Sequence, residues 1–127
     1  SSPEAKAVHA RLQAALAENP RTLLIARDED GRPYKKHIAH ADDIVAGFTA
    51  AIGNPAAVGG TFQLAAPAPF TWDEAVHYLA EALELPVLDL RLSDAIPTYY
   101  EFDLSHSRDT LGYAPQMDIR RMIDAAL

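Results

Sequence analysis

Cysteine is absent from the 127 residues, so disulfides and thiolate metal sites are excluded and an intracellular compartment is the default expectation. Long apolar runs are missing too. Nothing approaches the roughly 18–20 residues of a membrane span, and no basic-then-apolar leader precedes the first helix, so the chain reads as soluble and cytoplasmic with no membrane partner. Positive charge is scarce: 11 Lys and Arg stand against 18 Asp and Glu, for a net charge of −7. That balance repels a phosphate backbone and excludes nucleic acid as a partner, since the one basic cluster, residues 32–36, is too short to reverse it. Glycine numbers only six, and these never take dinucleotide-fingerprint or Walker spacing, so no phosphate cradle is expected.

What remains is one domain's worth of chain, residues 1–127, long enough to bury a core without staples. Ser2-Pro3 starts a helix, because Pro at the first helical position loses only an amide that had no partner there. Val8, Leu12 and Leu16 give it an apolar stripe, and Asn19-Pro20 ends it. Leu23-Leu24-Ile25 has strand length, and the polar turn at residues 28–33 is expected to return the chain into residues 34–40 as a hairpin-like pair. From Asp42 the period becomes helical. Ile44, Val45, Phe48 and Ile52 fall on one face, and Asp42 and Asp43 sit in the first turn, where the helix dipole favours acids.

After Gly53-Asn54-Pro55, residues 61–64 alternate as a short strand. Thr71-Trp72-Asp73-Glu74 is a capping box opening a helix whose buried face is Val76, Leu79, Ala80 and Leu83. Residues 87–92 alternate as a half-buried strand. Asp103 or Ser105 caps a short helix that Gly112 closes, and Ile119, Met122, Ile123 and Ala126 mark a last helix.

Chemistry-bearing side chains cluster only at His37, His40, Asp42 and Asp43. On a strand, positions three apart face opposite ways, so His37 and His40 do not readily share an ion, and no metal site is expected. His77 and His106 have no spaced partner and read as surface or capping residues. Ser105-His106-Ser107 with Asp109 supplies the letters of a hydrolase triad, but such triads assemble across a fold, and adjacency is no sign of one.

The order of features is more specific than any one of them. It runs from His40 to Asp43 at a strand end, through Asn54-Pro55, the Gly-x-x-Phe-x-Leu pattern of residues 59–64 and the Thr71-capped helix ending near Leu85-Pro86-Val87. Asp103-Leu104-Ser105 and Leu111-Gly112-Tyr113-Ala114-Pro115 complete it. Over residues 32–127 this order resembles the C-terminal, substrate-binding portion of extended short-chain dehydrogenases/reductases, the NAD-dependent epimerase/dehydratase family.

The resemblance implies an α/β fold, a C-terminal fragment of a Rossmann-type enzyme with helices packed on a small mixed sheet. The full-length parent would be an oxidoreductase or isomerase using NAD or NADP on a sugar or small carbonyl substrate, often as a homo-oligomer. The family's glycine-rich fingerprint and Tyr-x-x-x-Lys pair belong to the N-terminal half. Here the lysines are Lys6, Lys35 and Lys36, with no tyrosine four residues before any of them. No catalytic or cofactor-binding residue is therefore expected in this chain, and no hydride transfer by it alone. Members acting on nucleotide sugars place an Arg where this chain has Lys36, which cannot make Arg's planar bidentate contact. The family's Arg-x-Gly-Asp is replaced by Arg91-Leu92-Ser93-Asp94 and a Tyr99-Tyr100 pair. The substrate-contact candidates are thus Lys36, His40 and Tyr99, with a solvated strand-edge lysine as the other reading of Lys36. The alternative to an enzyme portion is a free-standing interaction or dimerisation module that has kept this fold. Either way, strand edges left unpaired in a fragment lead to an expectation of self-association.

Overall fold

The computed structural model describes residues 2–92 and 98–127. Ser93 and Asp94, which end the segment standing in place of Arg-x-Gly-Asp, lie outside the described residues. The chain is α/β. Its elements are α1 (Pro3–Glu18), β1 (Leu23–Arg27), β2 (Lys35–Lys36), α2 (Ala41–Ala51), β3 (Phe70–Thr71), α3 (Trp72–Leu83), β4 (Val87–Arg91), α4 (Ser105–Leu111) and α5 (Ile119–Ala126), with a 3-10 turn at Pro55–Ala57. β1 pairs with β4, and β2 with β3. Two compact units result: Ser1–Lys35 with Thr71–Tyr99, and Lys36–Phe70 with Tyr100–Leu127.

In the first unit α1 starts where the Ser2 hydroxyl accepts the Ala5 amide at 3.2 Å, with Pro3 at the first position. β1 and β4 run parallel in unbroken register from Leu23 opposite Val87 to Arg27 opposite Arg91. Thr71 caps α3 by accepting the Glu74 amide at 3.3 Å, as the capping box requires. Ala75 and Ala80 are the residues α3 buries, Val76 and Leu79 are half-buried, and Leu83 is exposed at the helix end. Small residues on the inner side let the helix lie close to the strands, with Ile25 and Leu92 buried beneath.

The expected hairpin does not form. Residues 28–33 give only an isolated antiparallel bridge between Arg27 and Pro33. Pro33 has no amide to donate to a ladder, whereas the leucine-rich run of β4 offers β1 five consecutive paired positions.

In the second unit α2 turns an unexpected side inward. Asp43 and Gly47 are its buried residues, while Val45, Phe48 and Ile52 are exposed. A Cβ built on Gly47 would lie 2.5 Å from Leu64 Cδ1, so glycine is what lets residue 64 pack there. Residues 61–64 form no strand. Their side chains alternate, Thr61 and Gln63 outward and Phe62 and Leu64 half-buried, but among the described residues their amides have no hydrogen-bond partner. Instead the segment is tied by side chains: Ser107 Oγ donates to the Gln63 carbonyl at 2.5 Å, and the Tyr113 hydroxyl donates to that of Ala65 at 2.9 Å. The Asp103 carboxylate accepts the Ser105 amide at 2.8 Å ahead of α4, and Gly112 ends that helix at φ +66°, the left-handed position that costs glycine least.

Candidate functional site

β2 ends on Lys36, and in the second unit this lysine sets its ammonium 5.0 Å from the ring centroid of Tyr100, a cation–π distance. The next residue, His37, is buried and fully engaged. Nε2 lies 2.8 Å from the Ala66 carbonyl and Nδ1 accepts the Phe102 amide at 2.9 Å. A carbonyl can only accept and an amide N–H can only donate, so Nε2 carries the ring proton. Phe102 also stacks on the imidazole, with centroids 5.6 Å apart and planes 19° from parallel. Tyr100 and Phe102 are stacked in turn, at 6.4 Å. Lys36 and His37 thus each hold one aromatic residue of the 100–102 segment. That segment walls a cleft of about 630 Å³ lined by His37, Pro67, Pro69, Asp103, Ser105 and Arg108. Two carboxylates, Glu101 and Asp103, and one guanidinium, Arg108, face this cleft.

His40 does something different. Its Nδ1 accepts the Asp42 amide at 3.2 Å and caps α2. Asp43 is not merely a first-turn acid complementing a helix dipole. Buried, its two oxygens accept the amides of Gln116 and Met117, each at 2.9 Å, which anchors the approach to α5. His37, Asp43 and Ser107 are the polar residues whose weight the sequence does not reveal. His106 stacks on Phe62 at 4.8 Å, and His77 Nδ1 bonds the Asp73 carbonyl within its own helix.

The first unit holds a separate cluster. The Tyr99 hydroxyl donates a short hydrogen bond to Asp28, and the Arg32 guanidinium lies 3.7 Å over the Tyr99 ring. Asp28 also accepts the amides of Asp30 and Arg32 at 2.9 and 2.8 Å. The hydrogen bond from Tyr99 holds the Asp28 carboxyl below its ordinary range, and donating to Asp28 pushes the Tyr99 phenol up. Burial first, and the Asp28 charge second, push Tyr34 up. Tyr99 is therefore turned to Asp28, and Tyr100 is the tyrosine that meets Lys36.

β1 leads into Asp28-Glu29-Asp30, an acidic turn, and β3 leads into α3, whose first turn carries Asp73 and Glu74. Both would repel a pyrophosphate that needs bare amides at a helix start.

No family model and no curated protein sequence matches the chain. Among solved structures, a short-chain dehydrogenase/reductase superfamily protein from Agrobacterium tumefaciens with bound NAD superposes at a TM-score of 0.78 with 30% identity, over 97% of this chain and 40% of that one. The chain belongs to the short-chain dehydrogenase/reductase superfamily. RMD from Pseudomonas aeruginosa, in complex with NADPH, shares the fold at a TM-score of 0.65 and 13% identity, over 91% of this chain and 37% of that one. UDP-glucuronic acid 4-epimerase from Bacillus cereus, in complex with UDP-glucuronic acid and NAD, shares it at 0.63 and 16%, over 89% and 35%. This short-chain dehydrogenase/reductase chain therefore spans about two-fifths or less of the length of these proteins. Among its described residues, no helix is long and apolar enough to cross a membrane.

Proposed function

We propose that this chain is the substrate-binding C-terminal portion of an NAD(P)-dependent short-chain dehydrogenase/reductase acting on a sugar or small carbonyl compound in the cytoplasm. The dinucleotide is held by a half that precedes this chain in a longer polypeptide. The observation that carries the reading is the 30% identity, sustained over 97% of the chain, to a superfamily protein with bound NAD, in a chain whose own strand-to-helix turns are acidic. Within that reading Lys36 is the substrate contact. Its ammonium lies over the Tyr100 ring as a single point charge, suited to a hydroxyl-rich or carboxylate-bearing substrate rather than to bidentate grip of a diphosphate. His40 marks the end of that segment, and Tyr99 acts through the turn at Asp28.

The coding sequence upstream of Ser1 decides between this and an independent interaction module. The proposed function expects a glycine-rich strand-turn-helix and a Tyr-x-x-x-Lys pair there. A native start codon at that point favours the module.

A further inference from the structure

His37 is 6% exposed, and both of its nitrogens are taken: Nε2 donates to the Ala66 carbonyl at 2.8 Å, and Nδ1 accepts the Phe102 amide at 2.9 Å. The ring joins residues 66 and 102 only while it is neutral with its proton on Nε2. A second proton belongs on Nδ1, where the Phe102 N–H already points, so two donors would face one another across 2.9 Å. That contact has to open, because the amide is left without an acceptor. Stacking of an imidazolium on the Phe102 ring, 5.6 Å away, is attractive, but it does not give the amide a partner. The opening is not confined to residue 102. The Tyr100 ring stacks on that of Phe102 with planes 10° apart, and the Lys36 ammonium lies 5.0 Å from the Tyr100 centroid. One short segment therefore carries both the amide that His37 holds and the ring that Lys36 meets. The charged groups around the imidazole are Lys36 beside it in the chain, Glu101 and Asp103 on either side of Phe102, and Arg108 in the wall of the cleft. Residues 65–70, on the Ala66 side, carry no charge. The two carboxylates draw an imidazolium toward the open cleft, and the two cations oppose it.

We infer that His37 is a pH-operated latch on residues 100–102, closed while the ring is neutral and opened when Nδ1 is protonated, and through that segment a positioning residue for Lys36. The second half of this inference rests on the proposed function, in which Lys36 contacts the substrate. With the latch closed, the Tyr100 ring is held where the Lys36 ammonium meets it, and the charge is preset for a ligand. With the latch open, the ring moves and the lysine has to be ordered again at each binding event. Imidazole is the side chain that ordinarily changes charge between about pH 5 and 8. The device therefore works where ordinary carboxylates and lysines keep their charge.

A pH titration of the 127-residue chain by NMR, with histidine ring nitrogens and lysine side chains labelled, reads the latch without any activity. As pH falls, His37 Nδ1 takes its proton, and the Phe102 amide signal and the ring-current shift of Tyr100 on the Lys36 ε-methylene change with the same midpoint. Two results overturn the latch: Phe102 and Lys36 signals that stay put after His37 is protonated, or a His37 that stays neutral until the chain unfolds. Steady-state kinetics of the longer polypeptide reads the positioning. KM rises by up to about tenfold per pH unit on the acid side of that midpoint, the limit for one proton, with a smaller change in kcat. His37→Gln, which keeps a donor and an acceptor but does not titrate, removes this acid limb, whereas His37→Leu raises KM at every pH. An acid limb that persists unchanged in His37→Gln overturns the positioning role. Lys36→Ala separates the two claims: an unchanged KM removes Lys36 as the substrate contact in the proposed function, while the latch stands or falls on the NMR titration.

Discussion

Tyr99 and Tyr100 are neighbours in sequence and opposites in role, because adjacent residues of an extended segment point to opposite sides. Lys36 was legible as a candidate contact, and the Tyr99-Tyr100 pair as a departure from the family pattern, through the resemblance alone. Which tyrosine Lys36 meets was not, since that depends on strand parity. Tyr99→Phe removes the hydroxyl that holds Asp28 low, so the Asp28 carboxyl returns upward toward its ordinary range, which carbon-detected NMR titration reads directly. The sign of the stability effect follows from the directions. The pair's contribution is present above the ordinary carboxylate value and is lost as pH falls through Asp28's lowered one. At the alkaline end it is present below the ordinary phenol value and is lost as pH rises through Tyr99's raised one. Tyr99→Phe flattens both limbs. Under the proposed function, Lys36→Ala in the longer polypeptide raises KM for substrate by roughly 10- to 150-fold, as expected for loss of one charged hydrogen bond worth roughly 1.5–3 kcal/mol, with a smaller change in kcat. Steady-state kinetics separates the two.

At the scale of elements, caps were the legible part. Ser2-Pro3, Thr71 with Glu74 and Gly112 each act within a few residues, and each does what local chemistry dictates. Strand pairing is non-local, and there the reading from sequence went astray: Pro33 stops the hairpin ladder, and β1 finds β4 sixty-four residues on, Leu23 opposite Val87. The apolar period of α2 identified a face but carried no information about what covers it. Gly47→Ala shows how tightly the other face is fitted. Helix propensity alone would gain about 1 kcal/mol, yet the new methyl would meet Leu64 Cδ1 at 2.5 Å and Cδ2 at 2.8 Å. Those methyls are the movable end of a half-buried side chain, so their displacement offsets the propensity gain and the net change stays within about 1 kcal/mol, with the coupling to Leu64 read from a Gly47→Ala, Leu64→Ala double-mutant cycle of urea unfolding. Asp43→Ala strips two amides of their acceptor and costs about 2–4 kcal/mol, by hydrogen-bond loss to a charged group. Asp43→Asn, which keeps one acceptor oxygen, costs less.

The molecule as a whole divides its labour between two units. One is built on the parallel β1–β4 pair. The other is built around side-chain ties to the carbonyls of Gln63, Ala65 and Ala66. Hydroxyl and imidazole donors satisfy backbone groups there that a sheet would otherwise pair, and such long-range ties leave no periodic trace in a sequence. Superfamily membership was legible because it depends on the order of caps, turns and strand ends, each local. The reaction was not, because the sequence carries neither a Tyr-x-x-x-Lys spacing nor a glycine-rich fingerprint from which to read it. Fluorescence titration of NADH and NADPH against the 127-residue chain, alongside the longer polypeptide, reaches the centre of the proposed function. No saturable binding by the chain and saturable binding by the longer polypeptide is the predicted result. Tight binding by the chain alone, or none by the longer polypeptide, would contradict it.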